Sequence, residues 1–162
     1  MYQVISSSKG LAFGALLMMA SSALAQVNDV RVKGAFDGSE VDAVQGGSLL
    51  VDGKGVGLAS HVGRFTFTWK VTVDLATGLS AGGKFQLVAA NGGDTINGSF
   101  VGRGMGTDTP NVSHIVELVS ITGGTGRFKS VTGDLRIDRL VEMTTGGTSG
   151  SLTGTIVLQA AK

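Results

Sequence analysis

The stretch HVGRFTFTWKVTVD, His61 to Asp74, decides the fold. Its odd positions are His61, Gly63, Phe65, Phe67, Trp69, Val71 and Val73. Its even positions are Val62, Arg64, Thr66, Thr68, Lys70, Thr72 and Asp74. The first set is mainly apolar, and the second is mainly threonine and charge. Successive side chains of a strand point to opposite faces, so this alternation predicts one long, half-buried strand. A helix would mix the two sets on each side.

Working outward, seven further segments show the same chemistry: 29–37, 47–59, 83–91, 94–104, 113–122, 134–143 and 150–159. Between nearly all of them lie glycine or Asn/Asp/Ser clusters, such as ATGLSAGG, NGG, TDTPN and TTGGTSG. Ser39 to Gly46 reads as a loop or short turn. Connections this short join antiparallel neighbours, because parallel strands need a crossover of about a dozen residues or more. The expectation is an all-β fold, an eight-stranded antiparallel closed barrel forming a single domain over residues 26–162. Closure also hides the edges that a flat sheet rich in Val and Thr would expose.

Residues 1–25 differ from this pattern. Lys9 is followed by the apolar run LAFGALLMMA and then by SSALA, which places Ala23 and Ala25 at the small-residue positions of a cleavage site. That order predicts a signal-peptide helix cleaved between Ala25 and Gln26, and a secreted or periplasmic product. The apolar run is too short for a membrane span, which needs about 20 residues. Lys9 is the only charged residue of that segment, so residues 26–162 carry 12 basic and 12 acidic side chains. A balanced surface gives no electrostatic footprint for nucleic acid or anionic lipid. The chain has no cysteine, which removes disulfides and thiolate chemistry. An outer-membrane barrel would carry aromatic girdles. This chain has one tryptophan, and its only tyrosine is Tyr2, within the signal segment.

Two glycine-rich stretches approach the pattern of a phosphate cradle without meeting it. GLSAGGKF, Gly78 to Phe85, matches G-x-x-x-x-G-K but ends in Phe85, where a hydroxyl would hold magnesium. It also leads into a strand, whereas a phosphate loop opens a helix. ITGGTGRFKSVTG, Ile121 to Gly133, lacks the G-x-G-x-x-G register and precedes no helix. It reads as a reversal at Gly123 and Gly124, with Arg127 and Phe128 re-entering the sheet and Gly133 relieving a bulge.

That last stretch, continued as ITGGTGRFKSVTGDLRI, resembles the strand–turn–strand signature of the allene oxide cyclase / dirigent-like barrel superfamily. ASHVGRFTFT (59–68) and GSLTGTIVL (150–158) resemble segments of its exported bacterial members. The likeness covers most of residues 45–159. It implies an eight-stranded secreted barrel whose cavity binds a small hydrophobic molecule, and plant relatives that cyclise a fatty-acid epoxide or steer phenoxy-radical coupling. The family's catalytic acid, tyrosine and cysteine have no matching position here, so no catalytic residue is carried over.

The candidate ligand-binding residues are His61, Trp69, Glu117 and Arg139. His61 is in phase with the apolar face of its strand, and its alternative role is to tie down the turn by a backbone hydrogen bond. His114 is expected in solvent beside Pro110, and two histidines in such unlike contexts make no metal site. Glu117 is in phase with Ile115, Val119 and Ile121, and Arg139 with Leu135, Ile137 and Val141. Buried charges must be paired, which predicts a Glu117–Arg139 contact inside the barrel, as brace or as polar anchor. Its segment is apolar on both faces, so the alternative turns Glu117 outward. Trp69, Phe65, Phe67, Phe85 and Phe100 are expected to fill the core or line a cavity. No metal or cofactor is implied. The expected role is non-catalytic, with a small hydrophobic molecule as the expected partner, and the alternative is a cyclase or isomerase.

Overall fold

The computed structural model describes residues 27–159. The expected signal-peptide helix and its cleavage point lie outside them. Eight strands follow in order: β1 (Val27–Gln45), β2 (Ser48–Ala59), β3 (Gly63–Asp74), β4 (Ser80–Ala89), β5 (Thr95–Gly106), β6 (Val112–Gly124), β7 (Thr132–Glu142) and β8 (Gly147–Gln159). Each pairs antiparallel with its sequence neighbour, and β1 pairs with β8 to close the barrel.

The strand β1 makes the closure. Its first part, Val27–Ser39, runs against β8, and its second part, Gly34–Gln45, runs against β2. Ser39–Gln45 is therefore strand, not the expected loop. The reason is the hairpin that follows. Gly46 and Gly47 take φ of 56° and 84°, the conformation of a tight two-residue turn whose twist matches that of the strands. The ladder thus runs to the turn itself, with Gln45 opposite Ser48.

Glycines explain how large side chains fit inside. Trp69, Phe67 and Phe65 of β3 lie opposite Gly53, Gly55 and Gly57 of β2. A Cβ at Gly53 would stand 2.0 Å from Trp69 Cε2, and one at Gly57 would stand 2.4 Å from the Phe65 ring. Each ring occupies the space that a neighbouring side chain would otherwise take. Phe67 stacks on Trp69 at 4.9 Å between centroids and meets Phe36 edge-on at 5.0 Å.

The glycine-rich stretch after β6 closes one end of the barrel. Gly126–Phe128 forms a single 3-10 turn, so Arg127 and Phe128 do not re-enter the sheet as expected. Phe128 and Val131 are 1 % and 0 % exposed, in one apolar cluster with Val62, Ile96, Ile121 and Ile156. Asp94 holds this plug from below. Its carboxylate accepts the Arg127 backbone N–H at 3.0 Å and pairs with the Arg127 guanidinium at 2.9 Å, and Arg127 also donates to the Val62 carbonyl. Those hydrogen bonds hold the Asp94 carboxyl below its usual range, with the Arg127 backbone contact the largest contributor. Gly133 relieves no bulge. It sits in register with Ile121 and Ile156, and a Cβ there would stand 2.2 Å from the Thr155 carbonyl oxygen.

Candidate functional site

Alternation along β6 and β7 turns Glu117 and Arg139 inward, each 6 % exposed. Register places Glu117 opposite Ile137, so Arg139 lies one inward position further along. Arg139 Nε donates to Glu117 Oε2 at 3.3 Å, and Nη2 donates to Oε1 at 3.2 Å. The expected internal pair is present, and the outward alternative for Glu117 is not.

A third charge joins them. Glu40 of β1 accepts from Arg139 Nη1 at 2.8 Å and is 8 % exposed. Thr148 Oγ1 accepts from the same nitrogen at 3.3 Å and donates to the Leu140 carbonyl at 2.8 Å. Two glycines make room for this group. Gly150 lies opposite Arg139 and Gly102 opposite Glu117. A Cβ at Gly150 would stand 2.6 Å from Arg139 Cβ, and one at Gly102 would stand 2.8 Å from Glu117 Cγ. The Arg139 guanidinium also faces the Trp69 ring at 5.6 Å, a cation–π contact. Trp69 is 5 % exposed, and its Nε1–H has no hydrogen-bond partner.

Glu40 and Thr148 escaped the sequence reading. The available signal was parity: Val32 and Phe36 are inward on β1, and Glu40 continues the same even-numbered face. Of the four candidate residues, the structure brings together Trp69, Glu117 and Arg139. His61 stands apart. It lies exposed in the β2–β3 turn at the plugged end, with φ of 62°, and β3 begins two residues later at Gly63. His114 is half-buried on β6, with Nε2 3.3 Å from Asp138 Oδ1, rather than free in solvent.

Two spaces meet at the charged group. An inner chamber of about 50 Å³ is walled by Phe67, Trp69, Phe85, Leu135 and Ile137. A funnel of about 210 Å³ opens at the other end of the barrel, with Val71, Val73, Ile115 and Met143 on its wall and Glu40 and Asp42 at its polar side. Glu117 and Arg139 line both. They form the floor of one space and the ceiling of the other.

Two carboxylates share one guanidinium, and this sets the electrostatics. Burial pushes the Glu40 carboxyl above its usual 4.5, and Arg139 only partly offsets it. Burial raises Asp42 in the same way. For Arg139, burial opposes the charge, but Glu117 and Glu40 outweigh it and hold the guanidinium protonated more firmly than usual. A raised folded-state pKa gives a definite sign. The folded protein binds this proton more tightly than the unfolded chain does, so the contribution is fully present below pH 4.5 and is lost as pH rises through the raised value. Glu142 has the opposite sign. Hydrogen bonds from Thr144 and Thr145 hold it at about 2, so its stabilisation is present above 4.5 and is lost toward pH 2. Glu40→Gln is expected to flatten the decline of stability above pH 4.5 and to leave the acid limb set by Glu142 unchanged, read as urea midpoints across pH. An unchanged alkaline slope in that variant would assign the effect elsewhere.

Among the described residues no group of three or more His, Cys, Asp or Glu could hold a metal ion, and no helix is long and apolar enough to cross a membrane. Comparison with family models, with curated proteins and with solved structures found no match to this chain.

Proposed function

We propose that this chain is an exported, non-catalytic barrel that holds a small, mainly apolar molecule in the funnel and inner chamber. One observation carries the reading. Phe67, Phe85, Leu135 and Ile137 point into the barrel and yet are only half-buried, because they face unfilled space. An eight-stranded barrel is just wide enough to be filled by its own side chains or to keep room for one small ligand. The two spaces together fall below the 300 Å³ or so at which ordinary ligand pockets begin, so the ligand is small. Export rests on the order of residues in 1–25, and the likeness to the allene oxide cyclase / dirigent-like barrels supports both the export and the ligand.

Native mass spectrometry of protein purified from its own host is the test. A small-molecule adduct is expected on the wild type. It should vanish in Val73→Trp, which fills the funnel from its wall, while the melting temperature stays within a few degrees. A bare mass for the wild type under gentle conditions would end the proposal.

A second reading, a cyclase or isomerase, is favoured by one fact. Glu40 sits on the funnel wall with a carboxyl raised above its usual range by burial, the direction a proton-transfer group requires. Loss of turnover in Glu40→Gln with ligand binding retained would select that reading.

A further inference from the structure

Glu40 of β1 is 8 % exposed, yet only one of its carboxylate oxygens is engaged. Oε2 accepts from Arg139 Nη1 at 2.8 Å, and Oε1 has no hydrogen-bond partner among the described residues. Trp69 Nε1 is the only fully enclosed side-chain polar atom in that condition, so Glu40 Oε1 keeps accessible surface. The space that Glu40 lines is the funnel and not the inner chamber. A carboxylate oxygen in so buried a side chain is costly unless something donates to it.

The surrounding charge points to the nature of that donor. Glu40, Asp42 and Glu117 line the funnel against two guanidiniums, Arg139 and Arg103. Arg103 is exposed, where solvent and salt screen it. Arg139 has five N–H donors, and hydrogen bonds to Glu117, Glu40 and Thr148 already engage it. Asp42, two residues beyond Glu40 on β1, is exposed and has no ion pair among the described residues. Burial raises the Glu40 and Asp42 carboxyls, and at Glu40 the charges of Asp42 and Glu117 push the same way. A positive group entering the funnel relieves all three effects. A bare metal ion does not fit, because no group of three or more possible ligands could hold one among the described residues. Much of the remaining wall is apolar, with Val71, Val73, Ile115 and Met143, which suits the hydrocarbon part of an amphipathic cation.

Resting on the binding function above, we propose that the ligand is a short alkylammonium, whose N–H groups donate to Glu40 Oε1, whose charge is matched by Asp42, and whose hydrocarbon chain lies on the apolar wall of the funnel. Arg139 then serves to hold Glu40 and Glu117 inside the barrel. Carboxylates are excluded, because the arginine is already occupied and the acids around it repel them.

The probes are hexylamine, 1-hexanol and hexanoate, titrated calorimetrically at pH 7.5 into the purified chain. They share one chain length, and at that pH they are a cation, a neutral molecule and an anion. Hexylammonium is expected to bind at least about ten-fold more tightly than hexanol, the factor that one charge-assisted hydrogen bond supplies. Hexanoate should be the weakest of the three. Glu40→Gln leaves Arg139 paired with Glu117, so no buried charge is stranded. It should weaken hexylammonium by about ten-fold and change hexanol by less than about two-fold. Asp42→Asn alters an exposed side chain that braces nothing, and should weaken hexylammonium by about two- to five-fold. A triad that acted only as a brace would not separate the amine from the alcohol.

Equal affinity for hexylammonium and hexanol overturns the inference and leaves the binding function standing, with water meeting Glu40 Oε1. Preference for hexanoate does the same and would make Arg139 the anchor. Hexylammonium affinity that is unchanged in both variants places the cation elsewhere and overturns the inference too. Failure of all three probes to bind overturns it together with the function on which it rests.

Discussion

Arg139→Met is expected to lower stability at pH 7.5 by about 3–5 kcal/mol, the usual cost of stripping one partner from a buried ionic group. Methionine keeps much of the packing against Trp69 but removes the only cation that, among the described residues, pairs with Glu40 and Glu117. Both carboxylates are then buried without a counter-charge, and Glu40, whose carboxyl burial already raises, must take up a proton to remain inside. The loss should therefore shrink as pH falls toward 5, which urea midpoints at the two pH values would show. Adding Glu40→Met and Glu117→Leu should recover most of the loss at pH 7.5, because a fully apolar replacement carries no desolvation debt. A loss below about 1 kcal/mol in the single variant would mean that the triad is already open to water.

Phe128→Ala should cost about as much, 3–5 kcal/mol or so, by a different cause. The ring is 1 % exposed and plugs the closed end of the barrel from a single 3-10 turn. Strands cannot collapse inward to fill the void, because the ladder fixes their spacing at about 4.8 Å. Arg127 and Asp94 also pin the turn in place. Phe128→Leu, which leaves most of the volume filled, should lose only about 1.5 kcal/mol. Equal losses in the two variants, measured by chemical denaturation, would show that the plug acts through its backbone and not through the ring.

The sequence made the strands legible because alternation survives any amount of twist. It also placed Glu117 and Arg139 on one inward face, since parity needs only the strand assignment. Other features were out of reach, each for a physical reason. Ser39–Gln45 carries a polar, acidic pattern and is followed by two glycines, which resembles a loop until the partner strand is known. Glu40 went with it. The role of Gly53, Gly55 and Gly57 was hidden, because a residue without a side chain shows its purpose only through what stands opposite. His61 has the right parity for the interior, but its positive φ places it in a turn before the strand begins. The size of the chamber depends on how the barrel's walls stagger, and no single segment encodes that.

The pairing of β1 with β8 has a consequence for how the molecule is made. The strand β1 must wait for β8, about 120 residues later in the chain, before the structure can seal. Contacts so distant along the chain form slowly. The ring stays open until β8 has been made, with the unpaired margin of β1 in need of shelter by chaperones in the meantime.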